Sequence, residues 1–136
     1  MGSLIFIDTS AIVAILTKED DALRYMSAID DSTRRLTGAH VRLECAMNVA
    51  RILGMAAENA NALFDEFVKR ASVEVVPIAD ATSRLAVRAF ARFGKGRGHP
   101  AQLNFGDCLS YASAREHNAA ILFKGRDFAQ TDLDIA

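Results

Sequence analysis

The sequence predicts a three-layer α/β domain with a central, mostly parallel sheet flanked by helices. Three short, mainly apolar runs are too short for helices and rich in branched side chains: "LIFI", "VEVV" and "AAILF". Such runs are typical of strands that are covered on both faces. Longer segments with helical spacing lie between them, and strands that alternate with helices pair in parallel through crossover connections.

The elements can be placed in order along the chain. Strands are predicted at 4–7, 73–76 and 119–123, with a weaker fourth strand, "RRLTG", at 34–38. The spacing of apolar residues predicts helices at 10–18, 20–31, 41–55, 59–70, 81–93 and 106–117. The segment at 93–107 contains four glycines and one of the two prolines, which predicts a loop. Its glycines lack the spacing of a nucleotide-binding motif.

Length and composition indicate one globular domain that spans residues 1–136. A chain of 136 residues fits a single core, and a composition that is 51% hydrophobic and 24% charged is globular. The formal net charge of −1 neither attracts nor repels nucleic acid over the whole surface. A nucleic acid partner must therefore be held by a local patch.

The sequence also predicts a cytoplasmic protein. No apolar run approaches the roughly 20 residues that cross a bilayer, and residues 1–3 do not resemble the start of a secretory signal. The two cysteines, Cys45 and Cys108, are far apart in the sequence, which suits a reducing compartment. We interpret both as small buried packing residues.

Four acidic residues stand where strands end or helices begin. Asp8 directly follows "LIFI", and Asp127 comes four residues after the end of "AAILF". Glu44 interrupts an apolar early turn of the third helix, and Asp107 lies in the first turn of the sixth. Because ligands of open parallel sheets bind beyond the carboxyl ends of the strands, we expect these side chains to converge.

Each acid alone also has a simpler interpretation. Asp8 fits the N-cap of the helix that follows it, and Glu44 fits a solvated helix position. Asp107 complements a helix dipole, and Asp127 fits the cap of the short turn after it. Four acids at separate junctions are more than capping requires, so the combination favours a shared site.

A shared site requires compensation for its negative charge. Two carboxylates about 5 Å apart repel each other by roughly 3 kcal/mol at an effective dielectric constant of about 20. Either protons or a divalent cation can offset that repulsion. Oxygen ligands select Mg²⁺ or Mn²⁺ over zinc. Such an ion polarises a phosphodiester and lowers the pKa of bound water, which predicts metal-assisted phosphoryl hydrolysis.

Four segments together resemble a known family: "FIDTSAIVAIL", "RLECAMNVARI", "LNFGDCLSYASA" and "LFKGRDFAQTDL". Their order and separation are similar to those of the PIN-domain ribonucleases, specifically the VapC toxins of bacterial VapBC toxin–antitoxin modules. The resemblance runs from the first strand almost to the last residue. It implies a PIN-like fold and Mg²⁺- or Mn²⁺-dependent endonucleolytic cleavage of RNA.

The resemblance also implies roles for particular residues and partners. The catalytic acidic metal site would comprise Asp8, Glu44, Asp107 and Asp127, with the Ser10 hydroxyl in support. Family members usually form homodimers and are inhibited by a cognate VapB antitoxin whose C-terminal segment lies near the acids. Where the family often carries a second acid or an Asn, this chain has Arg126. The number of bound ions therefore stays open, and Arg126 is either a phosphate contact or a surface residue.

A basic segment precedes Asp107. No acid occurs between residues 81 and 106, where five basic residues appear: Arg84, Arg88, Arg92, Lys95 and Arg97. The three arginines share one helix face, and a phosphate backbone needs a local basic patch. We therefore predict RNA contacts here, with a solvated helix face as the alternative. Phe90 and Phe93 on the same helix are interpreted as core residues.

Other interpretations of the sequence remain. A non-catalytic module that binds RNA or a partner would carry the same acids without cutting. An aspartyl phosphotransferase also places an Asp after its first strand, but its second Asp would fall at Ser10. The first two helices are rich in apolar residues, which fits an antitoxin groove, a dimer contact or the core.

Overall fold

The sheet has four parallel strands. The computed structural model of the chain describes residues 3–136, and the prediction that no secretory signal begins the chain rests partly on Met1 and Gly2, which lie outside this range. The strands are β1 (Leu4–Ile7), β2 (Arg34–Gly38), β3 (Val73–Val76) and β4 (Ala120–Leu122). They lie in the order β3-β2-β1-β4, and every pairing is parallel. The predicted parallel sheet is confirmed, including its weaker fourth strand.

Six helices flank the sheet within the described residues, each within two residues of its predicted bounds. They are α1 (Thr9–Leu16), α2 (Ala22–Asp31), α3 (Ala39–Leu53), α4 (Ala57–Arg70), α5 (Asp80–Phe93) and α6 (Phe105–Glu116). Gly54 ends α3 in the left-handed conformation, with φ of 64°, which glycine adopts without steric cost. None of these helices is long and apolar enough to span a membrane.

The core lies on both faces of the sheet. Phe6, Leu36 and Ile121, from three neighbouring strands, are fully buried. This explains why two of the strands, β1 and β4, are continuous apolar runs, since a strand covered on both faces has no solvent-facing side. The outer edge of β4 is also covered, because the C-terminal segment exchanges backbone hydrogen bonds with Ile121 through Asp134 and Ala136.

Three of the strands end close together at one edge of the sheet. The amide of Asp8 donates to the carbonyl of Leu122 (2.9 Å), which joins the end of β1 to the end of β4. The buried hydroxyl of Thr37 donates to the carbonyl of Ile7 (2.8 Å), which joins β1 to β2. Side chains that follow these strands are therefore held at one place, the carboxyl edge of the sheet.

Candidate metal centre

A cavity of about 390 Å³ lies at the carboxyl edge of the sheet. Three of the four predicted acids line it, and each comes from a different element: Asp8 from the end of β1, Glu44 from α3 and Asp107 from the start of α6. The remaining lining residues are Thr9, Ser10, Val13, Glu19, Asn48, Arg51, Ile52 and Lys124. The structure thus brings together carboxylates that lie up to 99 positions apart in the sequence.

Asp8 is held by the first turn of α1. Its Oδ2 accepts hydrogen bonds from the amide of Ser10 (3.1 Å) and from the Ser10 hydroxyl (2.7 Å). The predicted N-cap is therefore confirmed, and it coexists with a place in the cavity. The Ser10 hydroxyl in turn accepts from the amide of Lys124 (2.9 Å), so it links Asp8 to the segment after β4.

Glu44 is fixed from two sides. Its Oε1 accepts a hydrogen bond from the hydroxyl of Thr9 (2.6 Å). Its Oε2 lies against Gly106, where a Cβ atom would overlap with the carboxylate. Burial raises the pKa of Glu44, the bond from Thr9 opposes that rise, and the negative charge of Asp8 adds to it. Glycine at position 106 therefore allows α6 to approach the carboxylate closely.

Asp107 takes part in a reciprocal hydrogen-bond pair at the start of α6. Its Oδ2 accepts from the amide of Asn104 (3.1 Å), and its own amide donates to Oδ1 of Asn104 (2.9 Å). Burial raises the pKa of Asp107 to about 7, against the effect of the Asn104 bond. The nearby charges of three other acids raise it further: Asp8, Asp127 and Glu44.

Asp127 lies beside the cavity and does not line it. It is exposed and immediately precedes a 3-10 turn at Phe128–Gln130. Its side chain makes no capping bond to that turn, so the interpretation of Asp127 as a cap is wrong. Its charge nevertheless acts on Asp107, as the raised pKa of that residue shows.

The donor set suits a hard cation, although its side chains are not arranged as a closed cage. Each of the three predicted carboxylates that line the cavity engages one oxygen in a protein hydrogen bond: Oδ2 of Asp8, Oε1 of Glu44 and Oδ2 of Asp107. Within residues 3–136, no group of three or more His, Cys, Asp or Glu side chains is arranged to hold an ion directly. Mg²⁺ commonly binds through one or two carboxylates and keeps several waters, so an open site of this kind fits it.

The cysteines do not supply metal ligands at the cavity. Cys45 and Cys108 are both buried, as predicted, and neither lines the cavity. Burial raises the pKa of the Cys108 thiol to about 11. A thiol with such a pKa stays protonated at neutral pH, whereas zinc binds the thiolate.

A family model described as "PIN domain" matches residues 5–133, which is almost the whole chain. The chain belongs to the PIN domain family. Its relatives lie in the VapC group of that family: ribonuclease VapC28 of Mycobacterium tuberculosis is 42% identical over 130 residues, covering 96% of each chain.

Solved structures show the same PIN domain fold. VapC20 of Mycobacterium tuberculosis, described as a sarcin-ricin loop cleaving toxin, superposes with a TM-score of 0.75 at 20% identity, over 97% of this chain and 98% of its own. VapBC2 of Rickettsia felis, solved with a DNA fragment from its promoter, gives a TM-score of 0.72 at 15% identity, over 98% of this chain and 97% of the other. The predicted PIN-like α/β fold is thereby confirmed.

The basic residues of the predicted RNA patch do not line the cavity of this PIN domain. Arg84 forms an ion pair with Asp80 (2.8 Å), and Arg92 forms one with Asp132 (3.3 Å). The other four are exposed and form no ion pair within the described residues: Arg88, Lys95, Arg97 and Arg126. Their contact with RNA stays a prediction. On the same helix, Phe93 is buried as predicted, but Phe90 is 47% exposed, so its assignment to the core is wrong.

Two cations that the sequence did not reveal as site residues, Arg51 and Lys124, stand at the cavity of this PIN domain. The ammonium of Lys124 pairs with Glu19 (2.9 Å) and Asp21 (3.2 Å), in the connection between α1 and α2. No local sequence pattern predicts these contacts of Lys124, because they join residues more than 100 positions apart. Arg51 was detectable, because Glu44, Asn48 and Arg51 form one polar stripe on α3.

The raised pKa of Asp107 predicts a pH-dependent stability in metal-free buffer. Between pH 4 and about 7 the folded chain holds a proton on Asp107 that the unfolded chain has lost. The free energy of unfolding therefore falls as pH rises through this window. We expect Asp107→Asn, which keeps the Asn104 pair possible, to lose less stability than the parent between pH 4.5 and 7.5 in urea unfolding with chelator.

A matched control for this experiment is Asp31→Asn. Asp31 is an exposed Asp that ends α2, near the amino end of β2 and hence at the opposite edge of the sheet. The control should follow the parent over the same pH range. Identical pH profiles for the parent and Asp107→Asn would contradict the raised pKa.

Proposed function

We propose that this PIN domain is an endoribonuclease, the toxin of a toxin–antitoxin module, and that it hydrolyses RNA phosphodiester bonds with Mg²⁺ or Mn²⁺. The observation that carries the proposal is the convergence of Asp8, Glu44 and Asp107 on one cavity at the carboxyl edge of the sheet. Relatives support it, since VapC28 is named a ribonuclease and VapC20 is described as a toxin that cleaves the sarcin-ricin loop.

The chain supplies a fixed ligand set for such an ion. Asp8, Glu44 and Asp107 would hold it, and Asp127 would contribute from beside the cavity. Ser10 orients Asp8, and Thr9 orients Glu44, each through a short hydrogen bond. When bound, a divalent ion polarises the scissile phosphate and activates water at neutral pH. Asp107 would release its proton as the ion binds, because metal ligation requires the carboxylate.

The charges at the cavity favour one divalent ion. Four carboxylates line it, namely Asp8, Glu19, Glu44 and Asp107, against two cations, Arg51 and Lys124. The formal charge of these side chains is therefore −2, which one divalent ion neutralises. A second ion would leave a net positive charge, unless the RNA phosphate provided the additional ligands.

A VapB-type antitoxin is the proposed protein partner. An apolar groove of about 350 Å³ lies between α1, α2 and α4, lined mainly by Ile15, Leu16, Met26, Ile29, Leu63 and Phe67. An amphipathic segment of a partner binds such a groove through regularly spaced apolar anchors. The solved VapBC2 of Rickettsia felis supports a partnership of this type.

A homodimer is proposed from a second apolar surface. Three large hydrophobic side chains on α5 and at the start of α6 line one apolar groove and are 47% exposed or more: Val87, Phe90 and Phe105. Three further side chains on α3 are also exposed: Leu43, Met47 and Ile52. A contiguous exposed apolar patch marks an interaction site, whereas single exposed apolar residues do not. We infer that a second copy of the chain covers part of this set.

The central test is RNA cleavage by the purified full-length chain. With total bacterial RNA or intact ribosomes as substrate, Mg²⁺ or Mn²⁺ should support cleavage, and a chelator should stop it. Asp8→Asn and Asp107→Asn should each lower the rate at least about tenfold, because even residues that only orient metal ligands contribute that much. Rates are measured from fragment yields on denaturing gels.

Asp31→Asn is again the matched control, and it should cut RNA at the parental rate. Equal rates for Asp8→Asn and the parent would overturn the assignment of the metal site. Tight binding of RNA without cutting, in either metal, would instead identify a non-catalytic binding module.

Gly106→Ala tests how closely α6 must approach Glu44. The added methyl group overlaps with Oε2 of Glu44, which is the end of a flexible side chain and can move away. We expect the free energy of unfolding to change by less than about 1 kcal/mol, as for a substitution with room to relax. Cleavage should nevertheless fall at least about tenfold, since Glu44 loses its placement.

A double-substitution cycle gives this test its control. Glu44→Gln removes the same carboxylate that Gly106→Ala displaces, so the two effects should not add. The double variant should cut RNA no more slowly than the slower single variant. Additive losses would show that Gly106 acts by another route.

A further inference from the structure

One cation at the cavity, Arg51, has no anionic partner. Arg51 lies in the last turn of α3, and its side chain lines the cavity that contains Asp8, Glu44 and Asp107. Within residues 3–136 its guanidinium forms no ion pair with any carboxylate. The second lining cation, Lys124, is by contrast paired with two carboxylates, Glu19 and Asp21.

Arg51 is nonetheless held in place. One guanidinium nitrogen donates to Oδ1 of Asn48 (3.1 Å), and Nδ2 of Asn48 donates to the backbone carbonyl of Glu44 (2.8 Å). These residues are spaced by four and three positions, so they lie on one face of α3. The guanidinium is thereby oriented on the same helix face as the Glu44 carboxylate, while its other nitrogens have no protein acceptor in the described residues.

A simpler interpretation is that Arg51 only complements the C-terminal dipole of α3. Such an exposed charge contributes about 0.3 to 1 kcal/mol to helix stability. This role does not require the bond from Asn48 or a place at the cavity. It also makes a different prediction, because a dipole contact affects the stability of the fold and leaves ligand binding unchanged.

We propose that Arg51 binds a phosphate oxygen of the polynucleotide next to the scissile bond, and that Asn48 positions the guanidinium for that contact. The inference rests on the proposed RNA substrate and adds a substrate-binding residue to it. A guanidinium presents several donors in a planar fork that matches two phosphate oxygens. The carboxylates repel the polyanion, so an unpaired cation beside them offsets that repulsion where the backbone must approach.

The experiment measures binding of a fluorescein-labelled single-stranded oligoribonucleotide of mixed sequence by fluorescence anisotropy. All proteins are the full chain with Asp107→Asn and chelator, which prevents cleavage and removes one repelling charge. Affinity is measured over a series of salt concentrations. The variants are Arg51→Gln, Arg51→Lys and Asn48→Ala, and the matched control is Arg70→Gln, an exposed arginine at the end of α4.

Loss of one phosphate contact on a single strand lowers the slope of log affinity against log salt by about 0.7. We expect that change of slope for Arg51→Gln. Between 1 M and 0.1 M salt, a slope that is lower by about 0.7 corresponds to about fivefold weaker binding, so we also expect about fivefold weaker binding at 0.1 M salt. Arg51→Lys should keep the slope because it keeps the charge. Asn48→Ala should keep the slope and weaken binding, because the guanidinium is less fixed.

The overturning result is an Arg51→Gln variant that binds with the slope and affinity of Arg70→Gln. Urea unfolding of Arg51→Gln and the parent tests a helix-dipole role, since a stability loss in Arg51→Gln with unchanged RNA binding contradicts the inference. Binding that depends on Arg51, in a parent chain that never cuts RNA, would support Arg51 and refute the nuclease. If the parent cuts RNA but Arg51→Gln binds RNA as tightly as the parent does, the nuclease is supported and the role of Arg51 is refuted.

Discussion

Carboxylates that share one cavity repel each other, and the surrounding fold must hold them together against that repulsion. Asp8, Glu44 and Asp107 line a single cavity, and two of them have a raised pKa because they are buried and face negative neighbours. Their mutual repulsion destabilises the folded state if all of them are charged. The fold maintains this arrangement by tying each carboxylate to the backbone or to a hydroxyl.

The parallel sheet places these carboxylates close together. The ends of β1, β2 and β4 meet at one edge, so a residue just after β1 and an early residue of α3 face the same space. Asp8, Glu44 and Asp107 each accept a hydrogen bond through one oxygen, from Ser10, Thr9 and Asn104 respectively, which leaves the second oxygen for a ligand. Because Gly106 has no side chain, the start of α6, which carries Asp107, can lie against the Glu44 carboxylate.

Much of this arrangement could be predicted from local sequence patterns. Asp8 was identifiable because it follows an apolar strand. The hydrogen bonds that hold its carboxylate come from Ser10, only two residues away, so a local sequence pattern was enough to predict them. The capping role of Asp127 could not be judged from residue type alone. Its backbone is helical, with φ of −60° and ψ of −47°, whereas an N-cap that bonds to its own turn has extended angles.

Local patterns could predict only some of the cation contacts. The pair of Arg84 with Asp80 follows the i,i+4 spacing within α5, whereas Arg92 pairs with Asp132 in the C-terminal segment. Lys124 pairs with Glu19 and Asp21 over more than 100 positions of the sequence. Long-range packing decides such contacts, and neither spacing nor composition records it.

Calorimetric titration of the full chain with Mn²⁺ at pH 6.5, repeated in buffers of different ionisation enthalpy, would measure whether these carboxylates bind a divalent ion. We expect one saturable site per chain and the release of a fraction of a proton per ion, because Asp107, with a pKa of about 7, is partly protonated before the ion binds. The proton release should vanish in Asp107→Asn, and binding should weaken strongly in Asp8→Asn. Saturable binding that is the same in the parent, Asp8→Asn and Asp107→Asn, or no binding at all, would contradict a metal centre held by these carboxylates.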